Sequence, residues 1–230
     1  DWNVGRLLDA VEEMGDLDNT LIFYIWGDNG ASMEGTTTGS FNELTFLNGL
    51  VLDPKQQTDL IEKYGGLTAL GGPDTAPHCA AAWAHALNTP FRWGKQDAAH
   101  LGGTRDPMVV AWPARLKPDT DMRSQFTHVI DIGPTALEAA GIPEPEAVDG
   151  IEQEPMDGTS FLSTLDDAAA PARHTTQYFE IGGNRGIYHD GWTAVPKHKT
   201  PWTVEPPPAL DDDVWELYAP DDWTQARDLS

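Results

Sequence analysis

The chain opens with apolar residues at helical spacing and then changes to an unbroken apolar run. Between Val4 and Val11 the apolar side chains recur at intervals of three and four, which predicts an amphipathic helix over residues 3–15. Residues 20–26 are apolar, β-branched or aromatic throughout, a composition typical of a strand buried on both faces. A helix joined to such a strand by a short connection indicates an α/β unit.

Similar patterns predict further elements along the rest of the chain. We expect a second buried strand over residues 108–112, helices over 54–64, 80–86 and 130–140, and short strands over 175–181, 186–189, 192–195 and 215–218. The short strands lie close together in sequence and predict a second, smaller sheet. Residues 31–90 and 143–172 are expected to be mostly irregular, because glycine and proline interrupt them repeatedly.

Composition limits the class of protein. Hydrophobic residues make up 40% of the 230 positions, enough for the core of one domain or of a domain with a small subdomain. The formal net charge of −23 makes nucleic acid and anionic membrane surfaces poor partners. No apolar stretch approaches the length of roughly 18 residues that a membrane span needs. The single cysteine, Cys79, excludes an internal disulfide and a multi-cysteine metal site, and we expect it to be a small buried side chain.

The two ends of the chain carry neither an initiating methionine nor a leader pattern. Asp1 is followed at once by the helical pattern, and the residues before Ser230 resemble part of a continuing segment. We therefore expect an internal piece of a larger protein. A processed domain with trimmed ends is the alternative.

Asp28 and Asn29 form the strongest local signal for chemistry. They are followed by Gly30 and lie directly after the first predicted strand. Open α/β sheets bind ligands at the carboxyl ends of parallel strands, and hard divalent cations prefer carboxylate and amide oxygens. The pair therefore predicts two ligands of a metal ion, with the remaining ligands supplied from elsewhere. The alternative is an ordinary turn that leads the chain away from the strand.

Lys95 is the second candidate, in a segment that continues to His100 and the glycine pair 102–103. A lysine beside a glycine-rich turn can bind an oxyanion and stabilise charge that develops on it. The alternative is a solvated surface side chain, the usual position of lysine. His100 could act as an acid–base group or donate to an oxyanion. It could equally be a structural histidine, the interpretation that also fits His128 and His189.

Taken in order, these segments resemble the sulfatase family, in particular the large bacterial arylsulfatases. Residues 4–22 are similar to the helix and strand that precede the family's Asp-Asn-Gly metal motif, which residues 28–30 match. Residues 88–113 resemble the segment that carries the family's active-site lysine, here Lys95. The match continues through residues 129–141, 157–160 and 215–218, and so covers nearly the whole chain.

The resemblance implies hydrolysis of sulfate esters with the help of Ca²⁺, or sometimes Mg²⁺. Asp28 and Asn29 would supply two metal ligands, and Lys95 would contact the sulfate and stabilise charge on the leaving oxygen. His100 is a further catalytic candidate, although many relatives have Glu-Gly-Gly where this chain has Leu101-Gly102-Gly103 with one extra residue in the spacing. The family's nucleophile is a formylglycine made within a C/S-x-P-S-R motif. That motif is absent here, so we expect the formylglycine on upstream sequence.

The resemblance also implies a fold class and a domain organisation. The fold would be an alkaline-phosphatase-like three-layer α/β/α sheet that lacks its N-terminal part. Residues 1–164 would form the C-terminal part of the catalytic α/β domain, with a long insertion at about 31–88. Residues 165–230 would form a small α+β subdomain with an antiparallel sheet. The expected partners are a small-molecule sulfate ester and the remainder of the protein's own polypeptide, in the bacterial cytoplasm or periplasm.

Two other functions remain open from the sequence. A phosphonate or phosphodiester hydrolase of the same superfamily would need the same lysine and metal, because sulfate and phosphate esters present similar tetrahedral oxyanions. A non-catalytic binding module derived from a sulfatase would account for the absent nucleophile motif. Such a module would expose apolar strand edges, so we expect an arylsulfatase-like enzyme whose 230 residues are inactive alone.

Overall fold

The structure is a computed structural model that describes residues 2–27, 29–118, 121–203 and 205–230. Within these residues, the α-helices in chain order are α1 Trp2–Glu13, α2 Glu43–Leu47, α3 Pro54–Lys63, α4 Ala81–Leu87, α5 Leu101–Thr104, α6 Ile132–Ala140 and α7 Leu162–Asp166. The β-strands are β1 Ile22–Ile25, β2 Met108–Ala111, β3 Ala147–Val148, β4 Ile151–Glu152, β5 Thr176–Ile181, β6 Asn184–His189, β7 Trp192–Pro196 and β8 Trp215–Tyr218.

The chain divides into two compact units. Unit 1 comprises Asp1–Trp26 and Pro107–Thr175, and unit 2 comprises Gly27–Asp106 and Thr176–Ser230. Each unit is therefore assembled from two separate stretches of sequence. The predicted division into residues 1–164 and 165–230 stays a prediction beside this division by packing.

The helices expected from periodicity and end signals are confirmed as α1, α3, α4 and α6. Gly15 and Gly141 follow α1 and α6 with left-handed φ values of 80° and 68°, the conformation that ends a helix at low steric cost. The Asp53 side chain caps α3 by accepting a hydrogen bond from the Gln56 backbone N–H. The five-residue helix α2 is too short to show a period and was not predicted. Among the described residues no helix is both long and apolar enough to cross a membrane.

The two apolar strands of unit 1 pair with each other. β1 runs antiparallel to β2, with Ile22 opposite Ala111. Neither strand is buried, since Val109 is 62% exposed and Trp26, directly after β1, is 63% exposed. The prediction of strands buried on both faces is therefore wrong for the described residues, and so is that of a parallel strand before Asp28. A sheet of two strands leaves open to solvent the positions that a larger sheet would cover.

Asp131 connects three segments of unit 1. Its carboxylate is fully buried at the start of α6. It accepts hydrogen bonds from the backbone N–H groups of His128, at 2.7 Å, and Thr159, at 2.8 Å. Nδ1 of His174 lies 2.8 Å from the same carboxylate. A buried carboxylate with several donors fixes the segments that supply them.

Unit 2 contains the second sheet that the sequence predicted. Strands β5, β6, β7 and β8 lie side by side in that order, and all three pairings are antiparallel. Val195 of β7 and Tyr218 of β8 pack with Ala99 in a buried cluster. A Cβ on Gly186 of β6 would lie 3.1 Å from the Ala99 carbonyl oxygen. The sheet thus packs closely against the segment that follows Lys95, which carries the candidate site.

Candidate functional site

The segment after Asn29 and the segment around Lys95 meet at three glycines. A Cβ on Gly30 would lie 1.9 Å from the Gly102 carbonyl oxygen and 2.9 Å from the Cα of Gly94. Real side chains do not tolerate such separations. Glycine therefore lets these backbones approach more closely than any other residue would.

The Asn88 carboxamide joins the same segments by hydrogen bonds. Its Oδ1 accepts the Ala31 backbone N–H at 3.0 Å, and its Nδ2 donates to the carbonyls of Trp93, at 2.7 Å, and Gly102, at 2.9 Å. In addition, the backbone N–H of Lys95 donates to the Ala31 carbonyl at 3.1 Å. Three sequence segments are thereby fixed around one amide, and Lys95 lies beside the chain that follows the Asp-Asn motif.

Unusual backbone conformations also concentrate here. Asn29, Trp93 and Gln96 have left-handed φ values of 54°, 61° and 69°. Such values are uncommon for residues with a side chain and persist only where the surroundings enforce them. Trp93 has such surroundings, because Lys197 Nζ lies 4.5 Å from its ring centroid and the ring stacks with His85.

Of the two predicted metal ligands, Asp28 and Asn29, the structure describes one. Asp28 lies outside the described residues. Asn29 is exposed, and its backbone N–H donates to Asp106 Oδ1 at 3.2 Å. Within the described ranges, no group of three or more His, Cys, Asp or Glu side chains could hold a metal ion.

Lys95 is paired with a carboxylate. Its Nζ lies 3.5 Å from Glu34 Oε2, and the Lys95 side chain is 44% exposed while that of Glu34 is 17% exposed. Gln96 Nε2 donates to the other oxygen of Glu34. The ammonium therefore remains open to solvent on one side while a half-buried acid contacts it on the other.

Ser32 and His78 complete the surroundings of Glu34. Ser32 Oγ lies 2.9 Å from Glu34 Oε2 and 2.9 Å from His78 Nε2.

Cys79, which follows His78, is exposed, so the prediction of a buried cysteine is wrong. The reason is that the Cys79 backbone packs on Gly35, where a Cβ would meet the Cys79 carbonyl oxygen at 2.0 Å, while its side chain remains accessible.

His100 occupies a different environment from Lys95. Its ring is 0% exposed, with Nε2 3.1 Å from Glu216 Oε2 and Nδ1 3.5 Å from Asp97 Oδ1. A ring buried between two carboxylates holds backbone segments in place rather than presenting itself to a ligand. This placement favours a positioning role. The direct catalytic role expected for His100 stays a prediction.

Glu216 is the centre of the polar network around His100. It accepts hydrogen bonds from the Tyr218 hydroxyl and the His100 ring, and Arg92 lies 3.4 Å away. Burial raises the pKa of the Glu216 carboxyl, but these donors and the Arg92 charge outweigh burial and hold it below its usual value. Burial, together with the Glu216 carboxylate, raises the pKa of the Tyr218 hydroxyl.

Sequence reasoning missed several residues that build the site. Asn88 carried a signal, because it begins the Asn-Thr-Pro-Phe stretch before Lys95. Glu34 and Glu216 carried none. Glu34 lies in an irregular loop without periodicity, and Glu216 is more than a hundred residues from its partner His100. Contacts of this kind depend on the fold and not on local spacing.

Comparison with known proteins gives a family for this chain. The sequence model of the Sulfatase family matches residues 1–142. An uncharacterised sulfatase of Schizosaccharomyces pombe is 32% identical over 211 residues, which cover 89% of this chain and 35% of that protein. The steryl-sulfatase of Mus musculus is 28% identical over 158 residues, which cover 68% of this chain and 18% of that protein. The chain thus spans about a third or less of the length of these relatives.

A bacterial sulfatase and a solved structure extend the comparison. An N-acetylgalactosamine-6-O-sulfatase of Bacteroides thetaiotaomicron is 26% identical over 153 residues, which cover 66% of this chain and 22% of that protein. A protein solved in work on glycosaminoglycan metabolism by the same bacterium aligns with 99% of this chain and 38% of its own, at 20% identity and a TM-score of 0.52. This likeness confirms the predicted fold class, a partial alkaline-phosphatase-like α/β domain. Since the family model matches more than half of the sequence, the chain belongs to the sulfatase family.

Proposed function

We propose that this chain contributes to the hydrolysis of sulfate esters, with Lys95 as the group that binds the sulfate and stabilises charge on the leaving oxygen. The observation that carries the proposal is the hydrogen bond from the Lys95 backbone to Ala31, two residues after Asn29. It joins the candidate anion-binding group to the candidate metal-binding segment. Fixed cationic groups and metal ions beside a developing oxyanion are the means by which such esters are activated.

The donor set fits a hard divalent cation. Asp28 and Asn29 would hold Ca²⁺ or Mg²⁺, since both cations select oxygen ligands, and the exposed Asn29 has its backbone fixed by Asp106. When bound, the ion supplies Lewis acidity and a template for the sulfate oxygens. Two oxygens do not fill a coordination shell, so the proposal requires further ligands from elsewhere.

The nucleophile is proposed to lie outside this chain as well. None of the 230 residues falls in a C-x-P-S-R or S-x-P-S-R motif, so a formylglycine would be carried by another part of the same polypeptide. The three curated relatives described above are much longer than this chain, which supports this proposal. The 230 residues alone should then have no turnover.

An aryl sulfate is the substrate to test first, as the sequence resemblance suggests. The complete gene product, with Ca²⁺, should hydrolyse 4-nitrophenyl sulfate, and Lys95→Ala should lower kcat by about 100-fold or more. Lys117→Ala, at an exposed position of unit 1, is the matched control and should keep full activity. A preference for the matched 4-nitrophenyl phosphonate would instead indicate a phosphonate hydrolase. Unchanged turnover in Lys95→Ala would remove the role given to this residue.

A further inference from the structure

The carboxylate of Glu34 is surrounded by donors from three directions. Lys95 Nζ lies 3.5 Å from Oε2, Ser32 Oγ lies 2.9 Å from the same oxygen, and Gln96 Nε2 donates to Oε1. Ser32 Oγ is in turn 2.9 Å from His78 Nε2. The acid is therefore held in one orientation by polar neighbours, while the Lys95 side chain is 44% exposed.

Stability does not account for this arrangement. Lys95 is nearly half exposed, and an ion pair that water can reach contributes little to folding free energy, because screening and side-chain ordering offset the attraction. The pair also costs something in function, since a nearby carboxylate weakens the attraction between a lysine and an anion. The pair is therefore best explained by the position that Glu34 gives the Lys95 ammonium.

Lysine gains precision from such a contact. Its ammonium has three N–H donors at the end of a flexible chain of four carbons, so a free lysine samples many positions. A fixed carboxylate that accepts one N–H removes much of that freedom and leaves two donors for the oxygens of a ligand. Misplacement by about 1 Å can lower a rate by a factor of 100, so preorganisation of this kind affects turnover strongly.

We propose that Glu34 is a positioning residue that holds the Lys95 ammonium for the tetrahedral oxyanion of the substrate, with Ser32, Gln96 and His78 fixing the Glu34 carboxylate. This inference rests on the proposed function of Lys95. Glu34 itself touches neither the sulfate nor the metal in this scheme and acts only through Lys95.

Chemical labelling tests the pairing without catalysis. The complete gene product is treated briefly with an acetylating reagent, and acetylation of each lysine is followed by peptide mass spectrometry. In Glu34→Ala, Lys95 should react about two- to fivefold faster than in the unchanged protein, the range expected on loss of a partly exposed ion pair. The exposed Lys117 serves as the internal reference and should not change. An unchanged Lys95 rate would overturn the pairing.

A double-mutant cycle tests the positioning role in turnover. With 4-nitrophenyl sulfate, Glu34→Ala should lower kcat about tenfold or more with little change in KM, and Glu34→Gln should recover part of the loss because it keeps an acceptor oxygen. In the Lys95→Ala background, Glu34→Ala should have no further effect. Asp59→Ala, which breaks the exposed pair with Lys55, is the matched control and should keep full activity.

The outcomes separate this inference from the function on which it rests. If Glu34→Ala lowers kcat by the same factor with and without Lys95, Glu34 has a structural role. The positioning role then fails, while the proposed function of Lys95 stands. If Lys95→Ala leaves turnover intact, or the complete protein cleaves no sulfate ester, the proposed function fails and the positioning role fails with it. In that case the labelling result still shows whether Glu34 holds Lys95.

Discussion

At the scale of single residues, side-chain amides and carboxylates that bond to backbone do most to build the site. Asn88 satisfies one backbone N–H and two carbonyls from segments that are far apart in sequence. Asn88 thereby fixes the backbone on both sides of Lys95. Glu216 instead connects three side chains, those of His100, Tyr218 and Arg92.

Asn88→Ala is expected to destabilise unit 2 by about 2–4 kcal/mol, because it leaves up to three backbone groups without their partner in a partly buried setting. Unfolding in guanidinium measures the change. Asn48→Ala is the control, since the Asn48 side chain donates an exposed hydrogen bond to the Leu44 carbonyl and its loss should cost well under half as much. Equal losses in the two variants would contradict the role given to Asn88.

Glu216 should make stability sensitive to acid. Its pKa in the folded protein lies below the ordinary value of 4.5, so its stabilising contribution is present above that pH and is lost as the pH falls through the folded pKa. Glu216→Gln should therefore be less stable than the unchanged protein at pH 7, by about 1–2 kcal/mol. The difference should shrink as the pH drops below about 4.5. A gap that stays constant down to pH 3, in denaturant titrations at each pH, would refute this.

At the scale of elements, close backbone contact decides the geometry. α5 carries two buried glycines, Gly102 and Gly103, and a Cβ on Gly102 would lie 2.0 Å from the Arg92 carbonyl oxygen. The short helix can approach the Lys95 segment only because that Cβ is absent. The strands β1 and β2 of unit 1 are less closely packed than their sequences indicate. Their apolar composition predicted burial, but a sheet of two strands does not bury them.

Gly102→Ala and Gly5→Ala should have opposite effects on stability. At Gly102 the added methyl group meets backbone, which cannot move aside like a flexible side chain, so we expect a loss of about 2 kcal/mol or more and a displaced Lys95. At Gly5, within α1, nothing lies within 4 Å, and alanine should add up to about 1 kcal/mol through helix propensity. Thermal unfolding of both variants measures this. Stabilisation by Gly102→Ala would show that α5 does not pack as described.

At the scale of the whole molecule, the chain exposes apolar groups beside its first sheet. Trp26 and Val109 are both more than 60% exposed, and β1 and β2 carry almost no polar side chains. Scattered exposed apolar residues are ordinary, but a contiguous apolar strand surface is typical of a face that another segment covers. The chain also spans about a third or less of the length of its relatives.

We expect the 230 residues, produced alone, to bind the dye 8-anilinonaphthalene-1-sulfonate more strongly than the complete gene product does. The reason is that additional sequence would cover β1 and β2. Val109→Thr should weaken dye binding by the isolated chain, because it removes apolar surface at the centre of this face. Lys117→Thr, an exposed change away from the strand, is the control. Equal dye binding by the two proteins would mean that this face stays open.

Patterns in the sequence were sufficient to predict the helices α1, α3, α4 and α6, the second sheet and the family. The helices and the sheet follow from periodicity and capping residues, which act over a few neighbouring positions, and the family follows from motifs in a consistent order along the chain. The sequence also identified Lys95 and Asn29 as candidate site residues. It could not show that their segments meet.

The structure shows that these two segments meet, and it shows which groups surround each candidate residue. Gly30 against Gly102, Glu34 beside Lys95 and Glu216 on His100 join residues between 61 and 116 positions apart. Local patterns hold no information about such pairs, because long-range contacts are selected by how whole elements pack and not by intrinsic preference. The burial of a strand also depends on how whole elements pack. The apolar run of β1 was read correctly as a strand, but its exposure depends on what lies across the sheet.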